Sequence, residues 1–91
     1  DINQIEGDIL SLDIYPNPSR DVFNISFTSV QKQDLSVRIR NLIGEELISD
    51  DLQQFVGEYT KQINLEDKAK GIYLLEIETD AGIINKKLIL Q

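Results

Sequence analysis

Sixteen acidic side chains against nine basic ones give this chain of 91 residues a formal net charge of −7. That charge repels phosphate backbones and anionic lipid surfaces, and only Lys86 and Lys87 are adjacent among the bases, so the sequence argues against a nucleic-acid partner. Histidine and cysteine are both absent, which excludes disulfides, thiolate or imidazole metal ligands, thiol nucleophiles and the commonest general base together.

The hydrophobic share is 41%, carried by Ile, Leu and Val with three Phe and three Tyr, enough for one modest core. No run near about 18 apolar residues marks a membrane span, and no signal-peptide pattern is present. The first residue is Asp and not Met, so the chain reads as a fragment or processed product. Any export signal is expected outside it.

The opening stretch, DINQIEGD, is acidic and without period. Residues 1–9 therefore read as a linker or frayed end, and residues 10–91 as the domain. From there the period is two. Leu10, Leu12 and Ile14 alternate with Ser11, Asp13 and Tyr15, predicting a first half-buried strand. IYPNP then breaks the alternation. Pro16 and Pro18 cannot donate ladder hydrogen bonds, and Tyr15 and Asn17, each preceding proline, are held extended, so the segment is expected at a sheet edge or crossover.

A second strand follows with Phe23, Ile25 and Phe27 facing the core, and a third with Leu35, Val37 and Ile39. Weaker strands are predicted near Leu47 and Ile48 and from Tyr59 to Leu65. The sixth carries Tyr73, Leu75 and Ile77 inward, and the seventh, INKKLIL, sets Ile84, Lys86, Leu88 and Leu90 on one side. Seven short strands at this spacing predict an all-β antiparallel sandwich. Phe23, Ile25, Phe27, Val37, Ile39, Tyr73, Leu75 and Ile77 form its expected core. Asp80-Ala81-Gly82 reads as a tight hairpin joining the last two strands, while Gly44 and Gly71 mark bends or close backbone approaches.

Little in this pattern points to chemistry. Glu76 and Glu78 share a strand face, but nothing supplies a pocket or a second catalytic group. Asp50-Asp51 and Glu66-Asp67 offer hard oxygen ligands without the spacing of a calcium loop, and read as solvated turns. No enzyme, metal site or cofactor is expected. Tyr73 reads as a packing residue. Lys86 either snorkels out at a sheet edge or marks a docking surface, and Lys87 points to solvent.

The order IYPNPSRDVFNISF, VRIRNLIGEEL, INLEDKAKGIYLLEIETDAG and INKKLILQ resembles the C-terminal sorting domain of the type IX, or Por, secretion system of Bacteroidetes, in its type A form. The resemblance covers residues 10–91. It departs at two places: the family often has an acidic residue where Asn41 stands and a basic one where Glu45 follows the glycine. The resemblance implies a seven-stranded Ig-like sandwich and a non-catalytic signal that directs an N-terminal cargo through the periplasm and outer membrane to the cell surface. It implies protein partners in the translocon, an outer-membrane shuttle and a sortase-like surface peptidase that usually removes the domain. The motif positions it carries over are Pro16, Asn17, Pro18, Gly44, Gly71, Tyr73, Lys86, Lys87 and Leu88.

Two alternatives stand beside it. A carbohydrate-binding accessory sandwich would present stacked aromatics, and the chain has no Trp and three Tyr. A structural Ig-like spacer would be followed by further sequence, whereas the sorting reading expects a natural C-terminus at Gln91.

Overall fold

The computed structural model describes residues 9–91. The linker expected over residues 1–9 lies outside them except for Ile9, which opens the first strand and is buried. Five strands follow in chain order: Ile9–Tyr15 (β1), Val22–Asn41 (β2), Glu46–Asn64 (β3), Gly71–Thr79 (β4) and Gly82–Leu90 (β5). All strand pairings are antiparallel.

The strand count corrects the seven expected from periodicity. β2 carries the expected second and third strands as one run of 20 residues, and β3 carries the fourth and fifth as one of 19. Around Val30 to Lys32 and Gln53 to Val56 the apolar alternation lapses, which reads as a loop in sequence. The backbone stays paired there through bulges: Ser29 lies opposite Gly57, Gln33 opposite Phe55 and Leu35 opposite Leu52. Extra residues on one strand bend and twist the pair without ending it.

Side chains hold these bulges. The Ser29 hydroxyl donates to the Gln31 carbonyl (2.7 Å) and accepts from Gln33 Nε2 (3.2 Å), inside the fold. The Asp34 carboxylate accepts from the Gln54 backbone N–H at 2.9 Å, securing a residue whose φ is +52°.

The β2–β3 ribbon is thus one long bent pair. β1 runs beside its first half and β4 beside its second, with β5 beyond β4, so the sheet curls into a half-barrel around a single core. Phe23, Ile25 and Phe27 come from one half of β2, and Val37 and Ile39 from the other. Tyr73, Leu75 and Ile77 come from β4, and none of these eight is more than 5% exposed. The expected core is therefore the observed one. Ile63 and Leu65 join it, and Tyr59 stacks on Phe27 with ring centroids 4.8 Å apart. Burial, reinforced by the hydrogen bond to Asp50, pushes the Tyr59 hydroxyl well above the ordinary tyrosine range.

Two local expectations need revision. A register shift between Leu10 and Asp13, with Ser11 at φ +58°, changes which side chain faces inward at the start of β1 while Leu12 and Ile14 keep the expected side. Ile9 is buried, Leu12 and Ile14 pack against the core, and Leu10 does not belong with them. Asp50 and Asp51 lie within β3 and not in a turn: Tyr59 and Lys61, from the other half of the bent strand, engage the Asp50 carboxylate, and Ser36 on β2 donates to Asp51. Glu66 and Asp67 do occupy an exposed turn. The hairpin at Asp80 and Ala81 forms as expected, closed by Thr79 opposite Gly82.

Candidate functional site

The proline segment finds its reason at the far end of the chain. Beyond β1 the chain crosses to the free edge of β5, where Ser19 and Leu90 form a parallel bridge. The Ser19 N–H donates to the Ile89 carbonyl (3.0 Å), and the Gln91 N–H donates to the Ser19 carbonyl (2.8 Å). One step earlier a strand would need another donor and acceptor, but Pro16 and Pro18 have no N–H. The Asn17 side chain supplies both. Its Nδ2 donates to the Lys87 carbonyl at 2.8 Å, and its Oδ1 accepts from the Ile89 N–H at 3.0 Å. An amide side chain thus takes the place of a peptide unit and extends the cover over the edge. Both peptide bonds before the prolines are cis.

Ser19 then turns the chain into β2. It is 5% exposed, its hydroxyl donates to the Val22 carbonyl, and it accepts from the Asp21 N–H at 3.2 Å. Asn24 Nδ2 donates to the Tyr15 carbonyl at 3.1 Å, tying the departure of β1 to the start of β2.

The other candidate residues converge on the same end. Gly71 is paired with Leu90, Tyr73 with Leu88, and Asn41 with Tyr73, so the terminal strand, the start of β4 and the β2–β3 turn are neighbours. Tyr73 is buried and its hydroxyl donates to the Ala69 carbonyl, anchoring the preceding loop. Gly44 (φ +89°) and Gly71 (φ +142°) occupy backbone conformations that favour glycine. A Cβ would meet open space at both, so backbone geometry and not close approach selects glycine there. Leu88 is fully buried.

Lys86 pairs with the buried Leu75 and so holds a core-facing position, yet it is exposed. It escapes at the sheet edge. Lys87, beside Leu74, faces solvent. Neither lysine forms a side-chain hydrogen bond or ion pair among the described residues.

The carboxylates of β4 are engaged differently. Glu76 accepts from Arg40 Nε at 2.9 Å and Arg38 Nε at 3.5 Å, and Glu78 accepts from Arg38 at 2.7 Å. The hydrogen bond from Arg40 holds the Glu76 carboxyl below the usual glutamate range, and that to Glu78 raises the Arg38 guanidinium. Two carboxylates each engaged by arginine form an ion-pair network between β2 and β4. Among the described residues no group of acidic side chains is placed to hold a metal ion.

Residues 13–91 match the family of the secretion system C-terminal sorting domain. The chain belongs to this family. It is a sorting domain of the Por, or type IX, secretion system, the system of Bacteroidetes. No curated protein matches the chain.

Within this sorting domain the two departures from the family pattern meet each other. Asn41 Nδ2 donates to the Glu45 carboxylate at 2.7 Å, while Asn41 Oδ1 accepts from the Ile43 and Glu45 N–H groups at 3.1 and 2.9 Å. Asn41 thereby holds the turn that contains Gly44 with its side chain. Sequence reasoning missed this and the Asn17 pairing, although an amide set between two prolines was the available signal. It also passed over Leu42 and Ile43, aliphatics in that turn that are 66% and 83% exposed.

Proposed function

We propose that this domain is a non-catalytic export signal of the type A form, which carries an attached N-terminal cargo across the outer membrane and is then removed at the cell surface. Its partners on this reading are proteins: the translocon, an outer-membrane shuttle and a sortase-like peptidase. The observation that supports it is convergence. The proline segment and the terminal strand stand some 70 residues apart and are joined by direct hydrogen bonds from Asn17. The turns at Gly44 and Gly71 border the same end, where the buried Tyr73 and Leu88 pack beneath them, so the exposed motif positions lie near one another and a receptor could read them as a unit.

An Ig-like organisation belongs to the same proposal. The bends in β2 and β3 divide five strands into seven segments, three on one side of the core and four on the other. The Tyr73 hydroxyl, reaching back from the start of β4 to Ala69, supports it, because Ig-like sandwiches place a tyrosine at a comparable corner.

The test is a fusion of the full 91-residue chain to a passive reporter bearing a periplasmic leader, produced in a Bacteroidetes cell with an intact type IX system. The fusion is expected at the surface or in the medium, and retention in the periplasm would overturn the proposal. Lys86→Ala with Lys87→Ala in that fusion is expected to lower export while leaving the thermal midpoint in place. Undiminished export would remove those lysines from the signal.

A further inference from the structure

The outer face at the motif end gathers four of the eight large exposed hydrophobic side chains among the described residues. Ile72 and Ile89 are cross-strand partners, 38% and 37% exposed, and the neighbouring pair on the same face is Leu74 with Lys87. Beside them a groove of about 300 Å³ runs between the Asn41–Glu45 turn and the start of β4. Leu42, Ile43, Lys70 and Ile72 wall it, with Tyr73 below. Aliphatic side chains in a turn gain nothing for the core. Leu42 and Ile43, at 66% and 83% exposed, are left in water although the turn itself is pinned by Asn41.

Among the described residues the groove itself is lined by positive charge alone. Lys70 lines the groove, Lys68 lines an adjoining cleft and Lys87 borders Ile89, and none forms an ion pair among the described residues. Of the nearby acids, Glu45 and Glu46 line the adjoining cleft with Lys68, and the partner of Glu45 is a neutral amide. Glu45 accepts from Asn41, Glu46 lies 3.7 Å from Arg40, and Glu66 and Asp67 line neither cavity. In a chain of net charge −7, this aliphatic strip carries lysines that pair with no acid among the described residues, Lys70 donating only to the Arg20 carbonyl at 3.4 Å.

We propose that this surface, built from Leu42, Ile43, Ile72 and Ile89 with Lys70 and Lys87 at its rim, docks a segment of a partner protein that pairs aliphatic side chains with acidic ones. Two other occupants fit less well. A second copy meeting it face to face would set the same lysines against each other. An anionic bilayer would face the whole domain's negative charge, which a few lysines do not offset. The inference rests on the export reading only in assigning the partner to the secretion machinery.

The test places a photo-cross-linking amino acid at Ile43 in the full-chain reporter fusion, irradiates intact cells and sequences the cross-linked peptide by mass spectrometry. A second fusion carries the same amino acid at the exposed Thr60, on the opposite half of the sheet. The expected result is an adduct from position 43 alone, to a peptide of another protein rich in Leu, Ile or Val and in Asp or Glu. Its yield should fall at least tenfold in Lys70→Glu with Lys87→Glu and in Ile72→Thr with Ile89→Thr, and stay unchanged in Lys32→Glu. Threonine keeps the β-branched shape, and should it still unfold the domain, the lysine reversals at exposed positions carry the test.

An adduct of twice the fusion's mass, an adduct to lipid, a basic or uncharged peptide, equal yield from position 60, or no adduct would each overturn the proposal. Export separates this failure from that of the sorting reading. A fusion retained in the periplasm that still gives the acidic adduct removes the reading and keeps the surface. An exported fusion with no adduct does the reverse.

Discussion

VRIRN in β2 and NKKLI in β5 both place cations against aliphatic residues along a strand, and the fold uses them in different ways. Arg38 and Arg40 stand in mid-sheet, where β4 sets Glu76 and Glu78 beside them, and both guanidiniums are engaged. Lys86 and Lys87 stand on the outermost strand, with no acidic partner among the described residues. What covers the edge there is backbone and the Asn17 amide. A cation whose neighbours complete its hydrogen bonds serves the sheet, whereas one left free at an edge is available to something else. Composition cannot tell the two apart. Strand order can.

The comparison breaks first if β5 proves a loose appendage. Ile39 and Leu88 are both fully buried, one in the central strand and one in the edge strand. Replacing either by Ala should cost roughly 2–5 kcal/mol in urea unfolding, a large part of a small domain's stability. Comparable losses would show that the edge strand belongs to the same cooperative unit. A Leu88→Ala loss below about 0.5 kcal/mol would show that β5 packs without contributing.

Asn17→Ala sharpens the point by removing the cover and leaving the core intact. Its two bonds to β5 are exposed to solvent, so the expected loss is about 1–2 kcal/mol, near the net worth of two such bonds. The more specific readout is hydrogen exchange. The Ile89 amide should lose protection while amides shared by β2 and β4 keep theirs. Unchanged exchange at Ile89 would mean that the side chain is no substitute rung.

These two positions also show where sequence reading reached and where it stopped. Ile39, Leu75 and Leu88 were legible because period-two alternation reports burial directly, and the eight expected core residues are all buried. Strand number was not legible, since a bulge is decided by what lies across the sheet. Ser29 and Gln33 look like loop residues until one sees them bonded to each other inside the bend. In β1 Leu12 and Ile14 face the core as expected, and only the start of the strand was misplaced for the same reason, because the shift beyond Leu10 brings Ile9 and not Leu10 to the core. At the candidate site the prolines announced a corner, but the partner of Asn17 lies 70 residues away and no local pattern encodes it.

A smaller effect belongs to the arginine network. Glu76 is held below the ordinary glutamate range mainly by the hydrogen bond from Arg40, so its ionised form is favoured more in the folded chain than in the unfolded one. That contribution is present above the unfolded value and is lost as pH falls through the lower, folded one. In a partly solvated network it should amount to about 1 kcal/mol or less. Glu76→Gln should therefore be less stable than the parent at neutral pH, and the difference should close as the pH falls below the ordinary carboxylate range. A difference that stays constant with pH would assign the effect of the substitution to packing and not to charge.

The smallest expected effect separates the two strands most directly. Lys86→Ala with Lys87→Ala removes two cations that touch no acid, so the unfolding free energy should move by less than about 0.5 kcal/mol. Arg38→Ala removes one cation and leaves Glu78 without its 2.7 Å partner, and should cost more than both lysines together. The stem of Lys86 is the one complication, because its position pairs with the buried Leu75 and a lysine stem at such a position can lie along apolar surface before its ammonium reaches water. Lys86→Met keeps that apolar stem and deletes only the charge. If the double alanine variant is destabilised and Lys86→Met with Lys87→Ala is not, the loss comes from the stem, and the charges remain outside the fold's own stability. If both variants lose as much as Arg38→Ala, the lysines are structural after all, and reduced export of the lysine variants would report a weakened domain and not a receptor's missing contact.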